Sequence, residues 1–154
     1  MSHTFSATIP PRLALALLLG SFLLSHPIQA FAEDIKVEAR LVWGTNEEES
    51  KKPNHKPVDA KTAKKLQKIF TWKNYFLEKR VVAVVPNRKA ERIQLSPECT
   101  VEIRELAGPP VEVLLIGKGE VVSKANKSFT KGEWIVIGGE DQNECAWFVI
   151  LKRL

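Results

Sequence analysis

The chain has 154 residues, of which 44% are hydrophobic and 27% charged, and its formal net charge is +5. This length is enough for one domain with a real hydrophobic core, so the fold does not need a dense framework of disulfides. The mild excess of positive charge does not by itself identify a partner.

The N-terminal residues have the order of charge and hydropathy that is typical of a secretory signal peptide. Arg12 precedes an apolar run over residues 13–24, and the small residues Ala30 and Ala32 come just before Glu33. The run is shorter than the roughly 20 residues that span a bilayer. We therefore expect residues 1–32 to be cleaved, a mature protein that begins near Glu33, and a secreted or periplasmic location without a transmembrane segment.

Residues 33–154 are predicted to form a single β-rich domain. Its first segment alternates apolar and charged side chains from Ile35 to Trp43, which indicates a half-buried strand. Residues 47–57 contain two prolines and a run of three glutamates and no apolar side chain, so we expect a polar loop there.

A helix is predicted over residues 60–70, with Asp59 as its N-cap. On a helical wheel the apolar side chains Ala63, Leu66, Ile69 and Phe70 gather on one side. Four lysines gather on the opposite side: Lys61, Lys64, Lys65 and Lys68. This separation predicts an amphipathic helix that packs on a core and exposes its lysines.

The rest of the chain consists of short β-rich runs separated by turn residues. These runs cover residues 81–85, 92–95, 101–106, 111–116, 120–123, 134–137 and 146–151. Their spacing predicts a mainly β fold, an antiparallel β-sandwich or partly open barrel of about seven to eight strands. The last run is apolar on both faces, so we expect a central strand that is covered by the second sheet on one side and by the helix on the other.

The two cysteines, Cys99 and Cys145, each stand at the start of a predicted strand. In an exported protein an even number of cysteines is normally paired, and an up-and-down order of strands would bring both to the same end of the domain. We expect a Cys99–Cys145 disulfide, with two separately buried thiols as the alternative.

Groups that could carry catalysis are scarce. His55 is the only histidine after residue 32, so a site with several histidine ligands cannot form, and we expect no metal and no cofactor. A serine triad would have to combine His55 with one of four serines: Ser50, Ser96, Ser123 or Ser128. None of them lies in a Gly-x-Ser-x-Gly motif, so a hydrolase would be of an unrecognised type.

The segment from Lys51 to Arg92 is strongly basic, with thirteen lysines and arginines against three acidic residues. Aromatic residues lie within it, a combination suited to lipid headgroups or an anionic polysaccharide. The candidate anion-binding residues are Lys61, Lys64, Lys65 and Lys68. The alternative is an ordinary solvated helix face, and nucleic acid is not expected as a partner because the protein is exported.

Four tryptophans could form a sugar-binding platform: Trp43, Trp72, Trp134 and Trp147. Trp134 and Trp147 lie within apolar strands, so we expect core positions for these two.

The chain resembles uncharacterised small exported bacterial proteins of β-rich type. The landmarks that carry this resemblance are residues 43–46, 70–76, 132–134 and 146–148. It implies a bacterial periplasmic or envelope location and no site residue. We expect a non-enzymatic binding or structural module whose partner is a protein or another envelope component. An adaptor for anionic surfaces and a hydrolase are the alternatives.

Overall fold

The computed structural model describes residues 33–50, 52–140 and 145–154, without the side chains of residues 139, 140 and 145. The predicted signal peptide, residues 1–32, lies outside the described residues. Within them, no helix is long and apolar enough to cross a membrane.

The described residues form nine strands and one helix, one strand more than the upper end of the predicted seven to eight; the additional strand is the two-residue Lys56–Pro57. The elements in chain order are β1 (Ile35–Thr45), β2 (Lys56–Pro57), α1 (Ala60–Leu66), β3 (Asn74–Val85), β4 (Ala90–Ser96), β5 (Cys99–Glu105), β6 (Pro110–Gly117), β7 (Glu120–Ser128), β8 (Trp134–Glu140) and β9 (Cys145–Arg153).

The strands form two antiparallel sheets, which confirms the predicted sandwich. The first sheet has the order β2-β3-β1-β9-β8 and the second has the order β4-β5-β6-β7. Alternate side chains of both sheets point inward and form the main core, which includes Leu41, Ile103 and Leu151. The second sheet follows chain order, whereas the first sheet pairs the first strand, β1, with the last, β9, and has β1 at its centre.

Strand β9 is covered on both faces, as the sequence predicted. Val149 and Leu151 belong to the core between the sheets. Phe148 and Ile150 belong to a second apolar cluster, on the outer face of the first sheet, together with Leu66 of α1. The molecule therefore has three layers: the second sheet, the first sheet and the helix.

Helix α1 is shorter than predicted. It ends at Leu66, whose carbonyl accepts hydrogen bonds from the backbone N–H groups of Ile69 (2.9 Å) and Phe70 (2.8 Å). The bond from the Ile69 N–H spans three residues instead of four and closes the chain into a tight turn. Ile69 therefore does not lie on the helical face on which the wheel predicts it. The prediction for Leu66 and Phe70 is confirmed, because both pack in the outer cluster, whereas the prediction for Ile69 is wrong.

Asp59 begins α1 as the predicted N-cap. Its carboxylate accepts bonds from the Thr62 N–H (2.9 Å) and the Thr62 hydroxyl (2.7 Å). These bonds, the hydroxyl first, lower the pKa of Asp59. A lowered pKa in the folded state stabilises the fold fully above the ordinary aspartate pKa of about 3.9, and that contribution is lost as the pH falls through the lower folded value.

We expect Asp59→Ala to lower the free energy of unfolding by about 1 kcal/mol at pH 7, because two helix N-terminal bonds disappear. Asp59→Asn is the matched control and should retain most of the stability, since asparagine also caps helices well. Denaturant unfolding at pH 7 and at pH 2 measures both effects. An Asp59→Ala defect of the same size at both pH values would contradict the assignment.

Candidate functional site

Four exposed lysines form the most strongly charged feature of the helix side of the first sheet. Lys61, Lys64 and Lys65 lie on α1, and Lys68 lies on the turn that follows. Thr62 and Leu66, between them in sequence, are buried against the sheet and fix the orientation of the helix. We call these four residues the lysine face. Their exposure agrees with the sequence prediction.

The carboxylates near the lysine face are already neutralised by arginines. Glu38 on β1 is only 2% exposed; it accepts bonds from the Nε atoms of Arg40 and Arg80, each at 2.6 Å. Arg40 also reaches the Asp59 carboxylate at 3.3 Å. Since both acidic groups are paired with guanidinium groups, they do little to cancel the charge of the lysines.

One lysine of the face has a specific contact. The Lys65 Nζ atom lies 4.0 Å from the centre of the Trp134 ring, and the Arg40 guanidinium lies 5.8 Å from the same ring. These distances are those of cation–π interactions. None of the ion pairs among the described residues involves Lys61, Lys64 or Lys68. These three ammonium groups are therefore available to an external anion.

Ile69 directly follows Lys68 in the turn after α1 and is 63% exposed. The loop that carries it is well fixed. The Gln67 Nε2 atom donates to the Lys73 carbonyl (3.1 Å), and the Phe70 ring lies 4.1 Å from the Phe148 ring. The isoleucine is thus presented to solvent by a packed turn, next to Lys68.

The described basic residues of the segment 51–92 do not share one surface. Lys52 and Lys79 lie beside a cleft at one end of the sandwich. Lys89 belongs to the turn between β3 and β4, and Arg92 pairs with Glu102 on the outer face of the second sheet. The lysine face and Arg80, whose guanidinium pairs with Glu38, are on the helix side, so the candidate anion site holds fewer positive charges than the whole segment.

A second polar cluster surrounds His55, at the end of the sandwich where β1 stops and β3 begins. Ser50 Oγ lies 2.7 Å from His55 Nδ1, and Glu78 Oε2 lies 3.4 Å from His55 Nε2. The His55 side chain is 2% exposed and stacks on Phe76 with 6.4 Å between ring centres. His55 Nε2 and Glu78 Oε2 have no hydrogen-bond partner in the described part of the chain.

Glu78 reaches His55 because β3 carries a bulge. The partners of Leu41 and Val42 on β1 are Lys79 and Leu77, so Glu78 is an extra residue on β3. A bulge re-aims the side chain that it inserts, which here brings the carboxylate to the loop. The sequence indicates His55 and Ser50 as possible partners but not Glu78, because an alternation with a period of two gives no sign of a bulge.

A cleft of about 360 Å³ lies beside this cluster, lined in part by Lys52, His55, Glu78 and Ser96. Lys52 Nζ is 3.7 Å from Glu78 Oε1 and 4.9 Å from the centre of the Trp147 ring. The Trp147 ring in turn meets Trp43 edge-on at 4.6 Å. The lysine is thus held by an ion pair and by aromatic faces, and it covers part of the indole surface.

The four tryptophans are half-buried, which corrects the expected core positions of Trp134 and Trp147. Each of these two packs against the margin of a core cluster. Trp134 lies on an edge strand, where one flank of the ring has no neighbouring strand. The four rings do not line one common platform, since Trp134 faces the helix and Trp43 and Trp147 meet at the loop end.

Cys99 begins β5 at the same end of the sandwich as Glu78, is half-buried and forms no disulfide with any side chain that the structure describes. Burial, followed by the charge of Glu78, raises the pKa of this thiol. The side chain of Cys145 lies outside the described residues, and its backbone pairs with Thr45 in the other sheet. The Cys99–Cys145 disulfide therefore stays a prediction.

Groups of three or more histidine, cysteine, aspartate or glutamate side chains that could hold a metal ion are not found within the described ranges. Comparison of the chain with protein-family models, with curated proteins and with solved structures finds no match. The function must therefore be argued from the geometry of the two clusters.

Proposed function

We propose that the protein is an exported, non-enzymatic binding module of the cell envelope that attaches to anionic surfaces through the lysine face. One observation carries the proposal: on the helix side of the first sheet, Lys61, Lys64 and Lys68 form no ion pair with another described residue, while the carboxylates of Glu38 and Asp59 are paired with arginines. The N-terminal sequence supports export, and the resemblance to small exported bacterial proteins supports an envelope location.

The lysine face is well suited to a surface rather than to a small anion. Its ammonium groups are spread along α1 and the following turn instead of converging on one point. A basic side chain close to an anionic membrane contributes about 1 kcal/mol, and several of them add up when they face the same way. This attraction is screened over about 8 Å at physiological ionic strength, so only side chains near the surface contribute.

The test is a triple charge reversal, Lys61→Glu, Lys64→Glu and Lys68→Glu. Lys65 is left in place because its ammonium group contacts Trp134. We expect the affinity for anionic vesicles or an anionic polysaccharide to fall at least about a hundredfold, since three attractive charges become repulsive. Binding is measured by co-sedimentation or by retention on an immobilised polyanion.

The matched control reverses three exposed lysines elsewhere, Lys89, Lys127 and Lys131, and changes the net charge by the same amount. We expect it to weaken binding much less. Equal losses in the two variants would mean that only the net charge matters, and no loss in the first would refute the lysine face as the binding surface. Both variants should unfold at nearly the wild-type temperature, because all six side chains are exposed.

A second candidate function, hydrolysis, has one observation in its favour: the chain of contacts from Ser50 through His55 to Glu78. We rank it lower because the Ser50 hydroxyl already accepts the Lys52 N–H at 3.2 Å and the His55 ring is almost fully buried on Phe76. These contacts are typical of side chains that fix the conformation of a loop. Covalent labelling of Ser50 by a fluorophosphonate, abolished by His55→Gln, would reverse this ranking.

A further inference from the structure

We propose that the surface recognised by the lysine face is a lipid bilayer with anionic headgroups, and that Ile69 inserts into it as an apolar anchor. The inference rests on the proposed function and names its partner. Its first observation is an exposed aliphatic side chain, Ile69, at a place where a helical wheel predicts burial. Its second is the group of exposed lysines that precedes Ile69 in the chain.

Ile69 is exposed although the turn that carries it is held by packing and hydrogen bonds. Its neighbour Phe70 is anchored on Phe148, and the Tyr75 hydroxyl donates to the Phe70 carbonyl at 3.5 Å. Gln67 closes the loop from the other side by its bond to Lys73. A turn held at these points keeps Ile69 outside the outer apolar cluster. Its side chain is therefore in water, and moving it into an apolar environment would be favourable.

The neighbours of Ile69 match the interface of an anionic bilayer. Lys68 precedes it directly and Lys65 lies four residues before it, so exposed cationic side chains are close to the apolar one along the chain. Long lysine side chains can keep their charge at the headgroups while an aliphatic group between them enters the boundary of the acyl chains. Apolar area and electrostatic attraction then act together, as weak interfacial binding requires.

A polysaccharide fits the same residues less well. Sugar rings stack on exposed aromatic faces, and the aromatic ring nearest to the lysine face, Trp134, already carries the Lys65 ammonium at 4.0 Å. An aliphatic tip such as Ile69 makes no specific contact with a hydrated polymer, whereas in a bilayer its burial is favourable. An anionic lipid surface is therefore the partner that would interact with both the lysines and Ile69.

The experiment measures co-sedimentation of the mature protein, which begins near Glu33, with vesicles of phosphatidylcholine alone and of phosphatidylcholine with phosphatidylglycerol. We expect binding to the anionic vesicles only. Ile69→Ser should weaken it about tenfold, because burial of one isoleucine side chain is worth roughly this factor. The same variant should bind a soluble anionic polysaccharide as the wild type does.

The control is Val122→Ser, which changes a 58% exposed aliphatic residue on β7 of the other sheet and should leave vesicle binding unchanged. Wild-type affinity of Ile69→Ser for anionic vesicles would overturn the inference. Tight, lysine-dependent binding to the polysaccharide without binding to vesicles would also overturn it but would leave the proposed function intact. Failure of the charge-reversed lysine variant to lose binding to either material would instead refute the proposed function.

Discussion

Phe148→Ala is expected to lower the free energy of unfolding by about 3 to 5 kcal/mol, the usual cost of removing a large buried ring whose cavity collapses only partly. Phe148 is 2% exposed and lies between the first sheet and the helix layer, in contact with the rings of Phe70 and Tyr75. It also stands against Gly44, where an added Cβ would approach the Phe148 ring to 2.6 Å. Chemical denaturation of wild type and variant measures the loss.

Two further substitutions make this prediction specific. Phe70→Ala should cost less than Phe148→Ala, because Phe70 is only half-buried. Lys64→Ala should stay within roughly 0.5 kcal/mol, as expected for an exposed side chain. If all three variants lost similar amounts of stability, the helix layer would not be packed on the sheet as described.

Glu38→Ala is expected to cost about 2 to 3 kcal/mol. The substitution removes a buried carboxylate and leaves Arg40 and Arg80, which are register partners on neighbouring strands, without their shared anion. Breaking a buried ion pair typically costs 3 to 5 kcal/mol, and the value is smaller here because the Arg80 side chain is largely exposed.

Glu38→Gln keeps the shape of the side chain and one acceptor oxygen, so it should cost less than Glu38→Ala. Arg80→Ala should cost less still, because Arg40 continues to pair with the carboxylate. Thermal unfolding of the three variants gives the order. A Glu38→Ala variant as stable as the wild type would contradict the prediction, because it would show that the ion pairs of Glu38 do not contribute to the free energy of unfolding.

The three-layer arrangement was predictable because the hydrophobic pattern of one strand indicates packing on both of its faces. Residues 146–151 are apolar at every position, and such a run fits only a strand with packing on both faces. The sandwich core and the helix do cover it from the two sides. The alternation from Ile35 to Trp43 likewise gave the position of β1, which extends only two residues further.

Segments that break the simple patterns were missed or shortened. The first half of β3 escaped prediction because Glu78, Lys79 and Arg80 are charged and the bulge at Glu78 interrupts the period of two. Strand β7 was predicted only over residues 120–123, because its second half is polar. It lies at the edge of the second sheet, where the pattern of a buried strand is not required.

Of the candidate site, the lysines could be predicted from the sequence, whereas the exposure of Ile69 and the ion pairs of Glu38 could not. The lysine positions follow from the helical period, which the sequence displays directly. The early end of α1 at Leu66 depends on how the chain turns back toward β3, so the exposure of Ile69 could not be inferred from periodicity. The contacts of Glu38 with two arginines depend on strand register, and net charge along the sequence does not specify which basic residues share a surface.

The central claim, attachment to an anionic surface through the lysine face, is tested most directly by the salt dependence of binding. The affinity of the protein for vesicles containing phosphatidylglycerol is measured as sodium chloride is raised from about 0.05 to about 0.5 M, a range over which electrostatic screening becomes severe. The account predicts a fall of at least about tenfold, with the triple variant Lys61→Glu, Lys64→Glu and Lys68→Glu unbound throughout. Binding that is independent of salt, or equal for neutral and anionic vesicles, would contradict it.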